Sequence, residues 1–247
     1  MKRKIIFSPF ENYHIYNRGT DKRVIFHDAD DYERFTKLLY LSNGTKKFNI
    51  NDLKRSGDWE RCYELDRGDL LVDIGAWCLM PNHFHLLIRE TAGESKPYKT
   101  LLEAGPQVEN KIALFVQRLS TGYSMYYNKK YRRVGTLFSS RFKAEHLDFD
   151  QYLKYQYAYI HLNPVSLVDY GWKLKKILDK KMCKSFLESY QYSSFLDYCG
   201  IIRGENKIIN RKAFPDYFST EIDFKRMIDE WLNFDSEKHP YLRPDLK

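Results

Sequence analysis

The sequence predicts an α+β fold in which a central antiparallel sheet is flanked by helices, and three observations carry that reading. Tyr13-His14-Ile15-Tyr16-Asn17 alternates as a half-buried strand does. Residues 70–77 and 83–89 are two strand-like runs joined by Met80-Pro81-Asn82, the pattern of an antiparallel hairpin. Apolar residues at helical spacing recur on either side of that hairpin.

The elements follow in order. Arg18-Gly19-Thr20 reads as the exit from the first strand. Residues 28–41 predict a helix, with Asp28 and Asp30 for N-cap chemistry and Tyr32, Phe35, Leu38 and Leu39 on one face. Residues 43–69 are polar, carry Gly44, Gly57 and Gly68, and read as a loop or insertion. A loop is expected over 93–106, then a helix over 108–127 with Ile112, Phe115, Val116 and Leu119 inward and Arg118 outward. Asn128-Lys129-Lys130-Tyr131-Arg132-Arg133 is a basic aromatic segment, and residues 135–147 form a loop entering a strand. Asp148-Phe149-Asp150 is expected to cap a helix over 151–162, with Pro164 pushing Asn163 out of helical geometry. Strand–helix–strand–strand–helix–strand, closed by a further helix, matches a ferredoxin-like core. Beyond residue 170 the pattern is irregular: 171–184 is Lys-rich, 189–194 is polar and aromatic, 224–234 predicts a short amphipathic helix, and Pro240 and Pro244 mark a loose tail. The organisation expected is a core domain over 1–170 and a C-terminal helical or irregular extension over 171–247.

A chain of 247 residues accommodates one large domain, or one domain with an appendage, and can bury a sizeable core. Its net charge of +8 gives a surface field that favours a polyanion, with nucleic acid the first candidate. Cys62, Cys78, Cys183 and Cys199 form no CxxC pair, which argues against a zinc ribbon and a disulfide scaffold. Met1-Lys2-Arg3-Lys4 is followed by only Ile5-Ile6-Phe7, too short for a signal peptide, and no apolar run approaches the ~20 residues of a membrane span. A cytoplasmic, reduced protein without a membrane partner is expected.

Trp77-Cys78-Leu79-Met80-Pro81-Asn82-His83-Phe84-His85-Leu86-Leu87-Ile88 holds the chemistry. On a strand, residues two apart share a face, so His83 and His85 project together and Phe84 points away. Two imidazoles from one strand make half a metal site; the same spacing also fits two histidines satisfied by their neighbours. Tyr159 and Asn163 are four apart on a predicted helix and share a face, as does Tyr155 one turn earlier. An amide there offers an oxygen to the metal the histidines hold, with the phenol beside it; an amphipathic aromatic face is the plainer reading. Lys129, Lys130, Arg132 and Arg133 interleave with Tyr126, Tyr127 and Tyr131, and Arg141 and Lys143 extend the patch, as nucleic-acid contacts or as a solvated basic loop. Glu145, His146 and His161 are set aside as ligands, His161 because it lies two residues beyond Tyr159 on the helix.

Met80-Pro81-Asn82-His83-Phe84-His85-Leu86-Leu87-Ile88 together with Tyr159-Ile160-His161-Leu162-Asn163-Pro164-Val165 resembles the IS200-like Y1 transposase family, closest to its REP-associated tyrosine transposases. Tyr13-His14-Ile15-Tyr16-Asn17-Arg18-Gly19 and Gly135-Thr136-Leu137-Phe138-Ser139-Ser140-Arg141-Phe142 are similar to that family's first strand and to the stretch before its last strand. The resemblance implies a divalent metal, Mg²⁺ with Mn²⁺ able to substitute, held by His83, His85 and Asn163. It implies Tyr159 as the nucleophile that cleaves and rejoins single-stranded or hairpin DNA through a 5′-phosphotyrosine link. Softness rules alone would favour zinc for two imidazoles. Members act as monomers or homodimers, and both remain expectations. The polar stretch 43–69 and the residues after 170 depart from the minimal family pattern. A catalytically silent DNA- or RNA-binding protein that kept the fold is the alternative. A zinc hydrolase on small substrates is disfavoured by the missing acidic general base near the histidines and by the net charge of +8.

Overall fold

The computed structural model describes residues 7–91, 110–170 and 177–233. The loop expected over 93–106, the N-terminal Lys-Arg run, the first part of the Lys-rich stretch and the tail with Pro240 and Pro244 lie outside the described residues.

Among the described residues four strands, β1 (Asn12–Arg18), β2 (Val72–Met80), β3 (His83–Glu90) and β4 (Lys143–His146), pair antiparallel in the order β2-β3-β1-β4. The central strand β3 is covered on both faces. Phe84, Leu86 and Ile88 enter one apolar cluster, and Leu87 enters the other, on the face that also carries His83 and His85.

The first cluster packs that sheet face under two helices, α1 (Ala29–Leu41) and, counting the short helix between them, α3 (Lys111–Lys130). Asp28 caps α1 by accepting from the Asp31 amide, as its position predicts. Ile112, Phe115, Val116 and Leu119 are all buried. Helix α3 runs further than its apolar pattern suggests, so the basic aromatic segment is helical as far as Lys130. The polar stretch 43–69 is not a simple loop. It contains α2 (Ile50–Ser56), ended by Gly57 at φ 79°, and a 3-10 turn at Cys62–Glu64. Leu53, Trp59 and Cys62 carry it into the first cluster, a signal diluted by the surrounding polar residues.

The opposite face supports α4 (Asp150–Leu162), α5 (Lys180–Ser189), α6 (Phe195–Tyr198) and α7 (Glu221–Leu232), whose apolar sides join Ala76, Cys78, Met80 and Leu87 in the second cluster. Two expectations for α4 fail. Phe149 is its N-cap and no side chain caps it; Asp150 instead accepts from the Tyr217 hydroxyl. Asn163 keeps helical angles, φ −52° and ψ −39°, because the chain tightens into a 3-10 turn over Asn163–Leu167 with Pro164 at its start.

Residues 190–210 satisfy the outer edge of β2. Leu79 N–H donates to Tyr192 O, Ser194 N–H to Trp77 O and Asn210 N–H to Ile74 O, while the Tyr190 and Tyr198 hydroxyls donate to Leu79 O and Gly75 O. Arg203 clamps that segment with two bonds of 2.8 Å to buried Asp197 and others to the carbonyls of Gln191 and Ser193. Gly75 sits where the β2–β3 register shifts, and a Cβ there would lie 2.7 Å from Tyr157 Oη and 3.0 Å from Phe214. A side chain at that point would force the Tyr157 and Phe214 rings to shift. No helix among the described residues is long and apolar enough to cross a membrane.

His161 is fully buried beneath this segment, donating from Nδ1 to Tyr157 O at 2.9 Å and accepting at Nε2 from Ser194 Oγ at 2.8 Å. Burial holds its pKa down at about 3. The unfolded chain therefore binds a proton that the fold refuses, and stability falls as pH drops from the ordinary histidine value of ~6.5 towards 3. His161→Gln should cost stability at pH 7 but lose about 2 kcal/mol less than the parent between pH 7 and pH 5, read by urea denaturation at both values.

Candidate active site on the sheet face

The strand period places one set of side chains beneath α4. Register pairs His85 with Tyr16 and with Cys78, His83 with Arg18, and His14 with Glu145. His14, Tyr16, His85 and Glu145 meet as a connected group, and Tyr159 comes down on them from α4. The His85 and Tyr159 rings lie 5.4 Å apart at 86°, and His14 and Tyr159 6.0 Å apart at 78°. The rings of His83 and His85 are 4.9 Å apart and perpendicular.

Hydrogen bonds set which nitrogen of each imidazole carries the proton. Asn82 Nδ2 donates to Lys22 O, which turns its Oδ1 towards His83 Nδ1, so that nitrogen carries the proton. His85 Nδ1 is 2.8 Å from His14 Nε2, and His14 Nδ1 is 3.4 Å from Glu145 Oε2. An ionised Glu145 accepts from His14 Nδ1–H, leaving His14 Nε2 to accept from His85 Nδ1–H. Both histidines of the His-Phe-His motif thus carry their lone pair on Nε2. His85 Nε2 is buried without a hydrogen-bond partner, an orphan of the kind that folded proteins rarely leave.

Burial governs the electrostatics. Desolvation, and then the neighbouring imidazoles, hold His85 well below the ordinary histidine range, and burial lowers His14 against the pull of Glu145. The hydrogen bond from His14, ahead of one from Tyr16, keeps Glu145 below the usual carboxylate range. Tyr16 is pushed up to about 12 by burial and by Glu145. Burial also raises Tyr159, with Asn163 acting the other way. Cys78 lies against the same floor, and burial raises its thiol, so it is neither a thiolate nucleophile nor a ready soft ligand.

The remaining predicted residues divide by place. Asn163 is buried, and its Nδ2 has no hydrogen-bond partner. Among the described residues no group of three or more His, Cys, Asp or Glu side chains is arranged to hold a metal ion. Lys143 reaches over the Tyr16 ring at 5.9 Å on the site face, and Arg141 is exposed in the loop before β4. Arg133 covers the Tyr127 ring at 5.7 Å, while Lys129 and Arg132 are exposed. Lys130 is held by Asp28 and Asp31, each at 2.8 Å or closer. Ser139 N–H bonds Arg18 O and Asn128 Nδ2 bonds Gly135 O, so the basic segment is tied to the end of the sheet where His83 lies. Tyr155 stacks on Tyr159 at 6.0 Å and meets Trp231, whereas Tyr157 turns away into the second cluster.

His14, Tyr16 and Glu145 are the residues sequence reasoning missed as part of the site. The alternation of β1 and β4 was the available signal, but which residues face each other depends on a pairing between positions 131 residues apart. Glu145 also corrects the expectation that no acidic group stands near the histidines.

No family model matches the chain, and no curated protein does. One solved structure, described as the structure of a REP-associated tyrosine transposase bound to a REP hairpin, is similar over 83% of this chain and 90% of that chain, with 11% identity and a TM-score of 0.45.

The hydrogen-bond chain makes a measurable statement. Long-range ¹H–¹⁵N spectra should show His83, His85 and His14 with the proton on Nδ1 at neutral pH, and His85 still neutral at pH 5. A proton on His85 Nε2 would break the assignment.

Proposed function

We propose that this protein is a metal-dependent single-stranded DNA transesterase of the Y1 type, acting in DNA transposition or on palindromic repeats. The observation that carries the reading is the buried, unpartnered Nε2 of His85 on a strand face that Tyr159 covers at 5.4 Å. The four motifs that carry the resemblance to the IS200-like Y1 family support it. So does the strand order β2-β3-β1-β4 with α1 and α3 on one face, which we read as a ferredoxin-like core bearing the nucleophile on the helix after its last strand. In this reading residues 1–170 are the catalytic unit and 171–247 an extension that closes the second cluster.

The residues present fit a divalent ion such as Mg²⁺ or Mn²⁺. His83 and His85 would hold it through Nε2, and Asn163 through its amide oxygen once the amide is turned so that its unpartnered end is the oxygen. Bound there, the ion supplies charge to polarise a phosphodiester oxygen. Tyr159 Oη then forms its bond to phosphorus as the bond to the 3′-oxygen breaks; the phenol proton leaves and the 3′-oxygen gains one. Tyr159 is a neutral phenol at ordinary pH, as an unperturbed tyrosine is, and burial raises its pKa further. A returning 3′-hydroxyl reverses the step, so one site both cuts and joins. Lys143, Arg141, Arg132, Arg133 and Lys129 would contact phosphates; Lys130 would have to leave its carboxylates to do so.

Tyr159→Phe should lower the covalent protein–DNA adduct on a hairpin oligonucleotide at least ~10³-fold while binding is retained, read on denaturing gels. Tyr155→Phe should still form it, and His83→Ala should lose adduct and metal stimulation together. Salt-dependent binding with no adduct from the parent protein at any Mg²⁺ or Mn²⁺ concentration would favour the silent binding protein instead.

A further inference from the structure

The inserted helix α2 lies beside α1 and α3, and together they enclose a groove of about 840 Å³ on the side of the sheet opposite Tyr159. Arg34, Lys54 and Lys129 line it with Phe48, Ile50 and Met125. A recess of about 560 Å³ adjoins it at Arg34 and Lys54, walled by Trp59.

Arg34 makes this groove unusual. Its guanidinium is held 4.9 Å from the Trp59 ring and 5.1 Å from the Tyr126 ring, and its Nε is buried with no hydrogen-bond partner. Among the described residues no carboxylate lies within ion-pair distance of it. The carboxylates of the recess face cations of their own: Glu33 and Glu60 bind Lys37 at 2.5 and 3.2 Å, and Asp30 lies 4.0 Å from Lys130. Among those described residues Lys54 and Lys129 likewise form no ion pair. Arg34, partly stripped of water, Lys54 and Lys129 therefore line the groove with no ion pair among the described residues. Lys130 beside them is held by Asp28 and Asp31, and the carboxylates of the adjoining recess are held by Lys37 and Lys130. A desolvated charge costs free energy until a counter-ion arrives, and a planar guanidinium suits phosphate oxygens. Beside them Met125 is 70% exposed, and Phe48 and Ile50 are half-buried, an apolar shelf next to an anion site.

We propose that this groove binds single-stranded nucleic acid: one phosphate on Arg34, its neighbours on Lys54 and Lys129, and a base against Phe48, Ile50 and Met125. The proposal rests on the nucleic-acid partner of the reading above but not on cleavage. Lys129 joins the groove to the basic segment that ends at the His83 edge of the sheet, so an unpaired strand held here is anchored at a distance from the reacting phosphate.

The test uses the full-length Tyr159→Phe protein, which binds without cutting, with fluorescence anisotropy on a labelled hairpin carrying an unpaired tail and on the same hairpin without it. Arg34→Gln and, separately, the exposed Lys54→Gln should each weaken binding of the tailed hairpin about 3- to 10-fold and reduce the slope of log affinity against log salt by about 0.7. The tail-less hairpin should be unaffected. Lys54→Gln is on the surface, so it decides the matter if Arg34→Gln alters the thermal midpoint. Unchanged affinity and slope for the tailed hairpin would overturn the groove and leave the proposed function standing, as would equal losses with both hairpins. Failure of the parent protein to bind either DNA would overturn both.

Discussion

The two-residue period of β3 is the constraint on which everything else depends. Phe84, Leu86 and Ile88 must meet α1 and α3, and His83, His85 and Leu87 must meet the α4 side. Slipping the strand by one residue would bury both imidazoles in the first cluster and expose its apolar set to the site. With apolar clusters on both faces, the register that builds the core is the register that aims the histidines. Core and site are one specification.

That coupling explains what could be read from the sequence. The His-Phe-His strand, the hairpin turn, the cap of α1 and the inward face of α3 are local patterns, with partners a few residues away. The Glu145–His14–His85 chain is not local: His14 is separated from His85 by 71 residues and from Glu145 by 131. Propensity does not encode that meeting; strand pairing does. The insertion hid its helix for a related reason, since Leu53, Trp59 and Cys62 are scattered among charged residues and show as core only once α1 is beside them. The basic segment read as uniform in sequence, yet Asp28 and Asp31 lie about a hundred residues from Lys130 and take it out of the free set.

Electrostatically, the site is a set of neutral groups placed where charge would be expensive. His85 and His14 are buried, the Tyr159 phenol is protonated, and Glu145 is the charged member, at the more exposed end of the chain. Such a floor presents lone pairs without presenting net positive charge. It leaves room for an incoming cation and its phosphate to set the local field together. Holding these groups neutral has its counterpart in the fold: burial also keeps His161 uncharged under the C-terminal segment, and raises Tyr157 and Cys78 above their ordinary values.

The C-terminal segment has a consequence beyond covering the second cluster. A sheet with bare edges invites other strands to extend it. On one side, Ile74, Gly75, Trp77 and Leu79 already have their outward backbone groups bonded to residues 190–210. On the other, β4 is four residues long and carries Lys143, Glu145 and His146, a short charged border poorly suited to a neighbouring strand. Among the described residues, one margin of the sheet is sealed by the chain itself and the other is guarded by charge.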